Sequence, residues 1–364
     1  GRLILGELYL EAGQPQAALS ELQRAENNGI DTLRLLPLRA RGLFDSGDYD
    51  RLIGLPLTGE AIASLEAEDL ARIIALQGYA QLLRKNATAA RTAFEKALGL
   101  APATEIAVLG MVRLALAERD LDRAASLAAA AVEDLPESTE PLVLQGDVAN
   151  LQGDVQAAMT AYRFAHERAP EDLATLSKLT VATLIVEDAE AAAPLLAAMK
   201  EVAPDSPRTL YAKGLYHYKR SEYEAAVEAL DAALALNPSD LRAMLLTGNA
   251  QLALGNFEQA LERLETFLAL RPGTPEATIL AAQAMSAQGE YERAAETLQN
   301  ALRRNPGEPR LLAFQSQIAL LLGSPRESVE FLYKLRESAP DTPGIALSLG
   351  LGLLRAALLK MRCP

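Results

Sequence analysis

The stretch SEYEAAVEALDAALALNPSD (221–240) places alanine and leucine on one side of a helical wheel and charged residues on the other. Variants of it return as NFEQALERLETFLALRPGTP (256–275) and EYERAAETLQNALRRNPGEP (290–309). Apolar residues spaced three and four apart predict amphipathic helices, and each such run closes on a proline, which cannot continue a helix. Strand signals are missing: there is no alternating Val/Ile/Thr run and no Asn-Gly turn between such runs. The pattern predicts an all-α chain.

The prolines set a period. They stand at 102, 136, 170, 204, 238, 272, 306 and 340, every interval being 34 residues. A repeat of that length indicates stacked supersecondary units, none of which can bury its own apolar face alone. Other columns keep the same step. Twelve residues before each proline stand Ala90, Ala124, Ala158, Ala192, Ala226, Ala260, Ala294 and Ser328. Twenty-four before it stand Gly78, Val112, Gly146, Thr180, Gly214, Gly248, Ala282 and Ser316. Glycine inside a helix costs about 1 kcal/mol against alanine, so its return implies tight contact. The expected contact is between the glycine of a first helix and the alanine twelve residues later in a second. Two residues after each proline come Thr104, Ser138, Asp172, Ser206, Asp240, Thr274, Glu308 and Thr342, seven of them good N-caps for the next first helix.

Ten copies can be set out. Residues 1–70 hold two, the second carrying a four-residue excess around GLPLTGEAIASLEAED, read as an extended second helix or a loop insertion. Residues 71–342 hold eight in strict register, and 343–364 begin an eleventh that is cut off. Residue 1 falls inside a helical pattern already under way, so a preceding segment or a cleaved leader is expected.

These residues resemble the tetratricopeptide repeat: Leu5, Gly6, Tyr9, Gly13, Ala18, Leu22 and Ala25 in the first copy, and Gly248, Gly255, Phe257, Ala260, Leu264, Phe267 and Pro272 in a later one. The tryptophan usual in the first helix of that family is replaced by Leu210, Met244 or Ile74. The resemblance implies an α-solenoid of about ten helical hairpins wound as a right-handed superhelix, with first helices lining a concave groove. A narrower resemblance is carried by 5–31 and 35–57, which look like the tetratricopeptide lipoprotein of exosortase (PEP-CTERM) exopolysaccharide systems. It implies a periplasmic chain with a lipid anchor upstream of residue 1.

Composition narrows the chemistry. The chain has 48 acidic and 35 basic residues, a net charge of −13, and no basic run, which excludes nucleic acid as an expected partner. Cys363 is the single cysteine, so neither an internal disulfide nor a thiolate metal site can form within the chain. No apolar run approaches the roughly 18 residues that read as a membrane-spanning helix. Two histidines are present: His166 is expected to face solvent, and His217 takes a packing column usually filled by tyrosine. Motifs for phosphate, dinucleotide, zinc or serine-nucleophile chemistry are absent, so no enzyme activity, cofactor or metal is expected.

A ligand groove remains. Counting from the first residue of each copy, positions 2, 5, 9 and 12 share one stripe of the first helix. They supply Arg34, Pro37, Arg41 and Phe44 in the second copy and Arg72 and Tyr79 in the third. Arg113 follows in the fourth, Arg208, Tyr211 and Tyr218 in the seventh, Arg242 and Asn249 in the eighth, and Arg310 in the tenth. Arginines in the first turn sit against the helix dipole. Either their stems cover apolar surface while the heads stay wet, or they fork the carboxylates of an extended or acidic protein or peptide ligand, with tyrosines as stacking surface. The Lys/Asn constellation that holds chaperone tails in this family is not present. Three roles stay open: a noncatalytic scaffold of an envelope exopolysaccharide or protein-sorting apparatus, a cytoplasmic peptide adaptor, or the regulatory arm of an enzyme.

Overall fold

The computed structural model describes residues 1–57, 59, 63, 65–340, 349, 351 and 353. Among them every regular element is helical. They fall into two units, Gly1–Ala182 and Thr183–Pro364.

The first unit begins with α1 (Arg2–Glu11) and α2 (Pro15–Asn27), then α3 (Thr32–Asp45) and the short α4 (Tyr49–Ile53). Three full hairpins follow: α5 (Ala67–Leu83) with α6 (Ala87–Leu100), α7 (Glu105–Ala117) with α8 (Leu121–Asp134), and α9 (Glu140–Leu151) with α10 (Val155–Arg168). Helix α11 (Leu173–Val186) carries the division between the units. The second unit continues with α12 (Ala189–Val202), then α13 (Pro207–Lys219) with α14 (Tyr223–Leu236) and α15 (Leu241–Leu254) with α16 (Phe257–Leu270). It goes on with α17 (Pro275–Ala287) and α18 (Tyr291–Arg304), then α19 (Pro309–Leu321) and α20 (Pro325–Ser338). Each unit is a stack of helical hairpins in which a helix packs on its hairpin partner and on the hairpin that follows.

The prolines end the second helices as the sequence predicts. The residue before each one, from Ala101 (φ −143°, ψ 100°) through Asn237 (φ −135°, ψ 83°) to Ala339 (φ −145°, ψ 71°), has left the helical region. Clash with the proline ring forces that geometry. The N-caps follow with one shift. Asp172, Ser206, Asp240 and Glu308 accept from backbone N–H groups in the first turn. Before α9, however, Thr139 rather than Ser138 is the cap residue. Thr104 and Thr274 turn their hydroxyls back to donate to Ala101 O and Arg271 O.

The glycine column meets a different partner from the one expected. A Cβ on Gly78 would lie 2.9 Å from the Phe94 ring, on Gly146 2.4 Å from Tyr162, on Gly214 2.5 Å from Leu230 and on Gly248 2.7 Å from Leu264. The side chain that most needs the glycine is therefore the large one sixteen positions later, and at Gly214 the backbone oxygen of Ala226, twelve positions later, would also lie 3.3 Å from a Cβ. The small residues at twelve do meet in the tenth copy, where the Ser316 and Ser328 hydroxyls bond at 2.9 Å. Phe94 is fully buried and lies also against Gly110 of the following hairpin, which locks two hairpins on one ring.

In the second copy α4 stops at Ile53, with Gly54 as its C-cap. The acidic stretch read as an extension or insertion lies partly outside the described residues, as do Thr342 and nearly all of the eleventh copy. No described helix is long and apolar enough to cross a membrane.

Candidate ligand-binding face

The first-helix stripe divides between the two units. Arg34, Arg41, Arg72, Tyr79 and Arg113 belong to the first, and Arg208, Tyr211, Tyr218, Arg242 and Asn249 to the second. Position 9 of the third copy meets position 9 of the fourth, and position 5 of the seventh meets position 2 of the eighth, giving two cation–π contacts. The Arg113 guanidinium lies 5.4 Å from the Tyr79 ring centre, and the same tyrosine meets Phe44 edge to face at 5.4 Å. In the second unit the Arg242 guanidinium lies 4.8 Å above Tyr211, which is 9% exposed. Burial raises the phenol pKa of both tyrosines, against the lowering effect of the arginine beside each.

Most of the predicted arginines are held by carboxylates of the chain itself. Arg113 pairs with Glu140, Arg72 with Asp69 at 3.1 Å, Arg41 with Asp45 at 3.6 Å and Arg242 with Asp240 at 3.2 Å. Burial would push the Asp240 carboxyl up, but hydrogen bonds and charge from Arg242, with the Ala243 and Arg242 N–H groups, hold it below its ordinary value. Arg34, Arg208 and Arg310 differ. They are exposed, and among the described residues they make no ion pair. Asn249 is half-buried, and the Tyr218 and Tyr223 rings meet edge to face at 5.6 Å. Tyr216 leaves the stripe, as expected, and meets His217 edge to face at 5.6 Å.

Sequence reasoning missed a polar knot between the fifth and sixth copies. Lys178 Nζ lies 2.6 Å from Asp147 Oδ2, the Tyr162 hydroxyl donates to Asp147 Oδ1 at 2.8 Å, and the ammonium stands 5.8 Å from the Tyr162 ring. Burial, then the Asp147 charge, pushes the Tyr162 phenol far above its ordinary pKa. The spacing from Asp147 to Lys178, 31 residues, equals that from Tyr211 to Arg242, and this shared offset is the signal that could have found it. His166 is also placed differently from the expectation. It is half-buried, and its Nδ1 is enclosed without a hydrogen-bond partner. His217 is half-buried as expected, its Nδ1 2.6 Å from Glu222. Among the described residues no group of His, Cys, Asp and Glu is placed to hold a metal ion.

Two models of the tetratricopeptide repeat match the chain, one over 252–318 and the other over 109–172, 186–241 and 211–273. Together they span more than half of the 364 residues. The chain is a tetratricopeptide-repeat protein. Solved structures of such proteins share its fold. A tetratricopeptide repeat protein from Parabacteroides merdae is 17% identical, with a TM-score of 0.51, over 68% of this chain and 98% of that one. PilW, a type IV pilus biogenesis factor, is 19% identical, with a TM-score of 0.51, over 59% of this chain and 98% of its own. Curated proteins give no match. These likenesses concern the fold.

Proposed function

We propose that the first-helix stripe of each unit of this tetratricopeptide-repeat protein holds an extended acidic segment of a protein partner. One observation carries the reading. In a chain of net charge −13, Arg34, Arg208 and Arg310 stand exposed in first turns, where the helix dipole opposes them, and no carboxylate of the described chain answers them. Arginines engaged internally, such as Arg113 and Arg242, frame tyrosines Tyr79 and Tyr211 beside them and are the rigid part of the surface. Guanidinium forks recognise carboxylates through paired N–H donors, and tyrosine faces accept the intervening side chains.

The test is fluorescence anisotropy with a panel of labelled acidic peptides of extended sequence, read against Arg208→Ala and Arg310→Ala. Each substitution is expected to weaken the best binder several-fold and to flatten its salt dependence. Full affinity in the double variant, with binding equally tight to scrambled basic peptides, refutes the acidic-segment reading.

The setting we propose is the bacterial envelope: an exopolysaccharide or protein-sorting assembly, with the chain periplasmic and tethered by a lipid upstream. Its support is the resemblance carried by residues 5–31 and 35–57. Fractionation of the full-length gene product, with and without an inhibitor of lipoprotein processing, decides it. A product found in the cytoplasm and indifferent to the inhibitor sinks the envelope setting while leaving the acidic-segment reading intact.

A further inference from the structure

At the junction of α16, α17 and α18 a cleft of about 500 Å3 opens on the loop side of the stack. Its apolar wall is Leu268 and Ala301, and its rim carries Thr297, Asn300, Arg303 and Arg304. We propose that this cleft binds a small oxyanion, a carboxylate or phosphate group on a compact body, through the Arg303 and Arg304 guanidinium groups.

Two arginines line this cleft without a counter-charge. Among the described residues neither Arg303 nor Arg304 makes an ion pair, whereas Arg263 on α16 and Arg293 on α18 do. Arg303 donates to the Asn300 side-chain oxygen, which directs it along the rim. The stem of Arg304 is pinned: a Cβ on Gly273, whose φ is +80°, would lie 2.7 Å from Arg304 Cδ. The helix dipole explains a cation in the last turn of α18 but leaves its N–H groups without acceptors.

A comparison along the repeat shows that Arg304 has been released for this use. Arg168 occupies the same column four periods earlier. There the guanidinium is consumed by the preceding loop, Nη1 donating to Pro136 O at 2.9 Å and to Ser138 O at 3.3 Å. At the later junction Asn305 takes over that task, its amide donating to Gly273 O at 2.8 Å. The loop is tied down without Arg304, so its donors face the cleft. A volume of about 500 Å3 suits a small molecule, and paired guanidinium groups suit an oxyanion. This site stands on a second helix and its loop, apart from the first-helix stripe.

The test is an NMR titration of the isotope-labelled protein at low ionic strength, with inorganic phosphate in one arm and succinate in the other. Saturable shifts confined to Gly273, Asn300 and Arg304 are expected in at least one arm, and which arm saturates separates phosphate from carboxylate ligands. Arg303→Gln with Arg304→Gln is expected to weaken binding at least tenfold, and Arg168→Gln, which removes the same charge from the equivalent column, to leave it within twofold. Arg304→Lys, which keeps the charge, is expected to weaken it several-fold by losing the paired donors. No saturation in either arm, equal weakening by Arg168→Gln, or unchanged affinity in Arg304→Lys overturns the proposal.

Discussion

The Phe94 ring occupies the space where Gly110 lacks a side chain, and a Cβ on that glycine would lie 2.5 Å from both Cε1 and Cζ. Because the same ring fills Gly78 in its own hairpin, it is a joint between neighbours rather than a filler of one core. Gly110→Ala is expected to lower stability by about 1–2 kcal/mol, an overpacking loss of about 1–3 offset by up to about 1 of helix propensity. Gly99→Ala provides the contrast, since nothing lies within 4 Å of a Cβ there, and should stabilise by roughly 0.5–1 kcal/mol. Urea midpoints moving the same way for both would refute the joint.

The Ser316–Ser328 pair predicts non-additivity. Both residues are buried, 3% and 0% exposed, and their hydroxyls bond to each other. Either serine changed to alanine leaves a buried hydroxyl without its partner, at a cost of about 1–3 kcal/mol, whereas the double change should be close to neutral. Seven of the eight residues in the Ser328 column are already alanine. A double-mutant cycle on chemical unfolding measures this, and additive losses would contradict it.

Tyr162 predicts an alkaline signature. Its folded pKa is raised by burial and by Asp147, so the stabilisation this implies is present in full below the unfolded phenol value near 10.0 and is lost as pH rises toward the folded one. A spectrophotometric titration of the native protein should therefore show Tyr162 ionising last, after the exposed tyrosines and the less shifted Tyr79 and Tyr211, and that last step should vanish in Tyr162→Phe. The variant should also be less stable at neutral pH by about 1 kcal/mol, from loss of the bond to Asp147.

Asp240 predicts the opposite limb. Its folded pKa is depressed, so its contribution holds above the unfolded value near 3.8 and disappears as pH falls through the lower folded value. Carboxyl chemical shifts should place its titration below that of exposed aspartates. Arg242→Gln removes the main lowering influence and leaves burial to raise the group, so the titration should move up. An unmoved Asp240 in that variant would show that the backbone N–H groups alone account for the depression.

The repeat was legible because its punctuation is chemical: a proline forbids the next helical hydrogen bond, and the residue before it is driven out of the helix in every copy, as at Ala101 and Asn237. Columns identify residues that share an environment, but they do not say which residues touch. The periodic columns pair Gly146 with Ala158, whereas its close neighbour is Tyr162, whose column also holds Phe94, Ala128 and Leu196. The candidate face was harder still. Arg113 with Glu140 and Lys178 with Asp147 are bonds between unlike positions of adjacent copies, and each occurs where two particular side chains coincide. No periodic average contains them. The stripe was placed on its helices by spacing, yet the division of its arginines into engaged and unengaged ones needed coordinates.

The uniform step from one proline to the next has a consequence for how such a chain can change. Every joint accepts the same kind of neighbour, so a whole period of 34 residues can be excised or duplicated and the flanking surfaces still match. A shift by any other number would rotate each following helix and set its polar side against the stack. Length is then an adjustable dimension of this molecule, altered in whole modules at the level of the gene, with only the pairs particular to one joint, such as Lys178 with Asp147, to be remade.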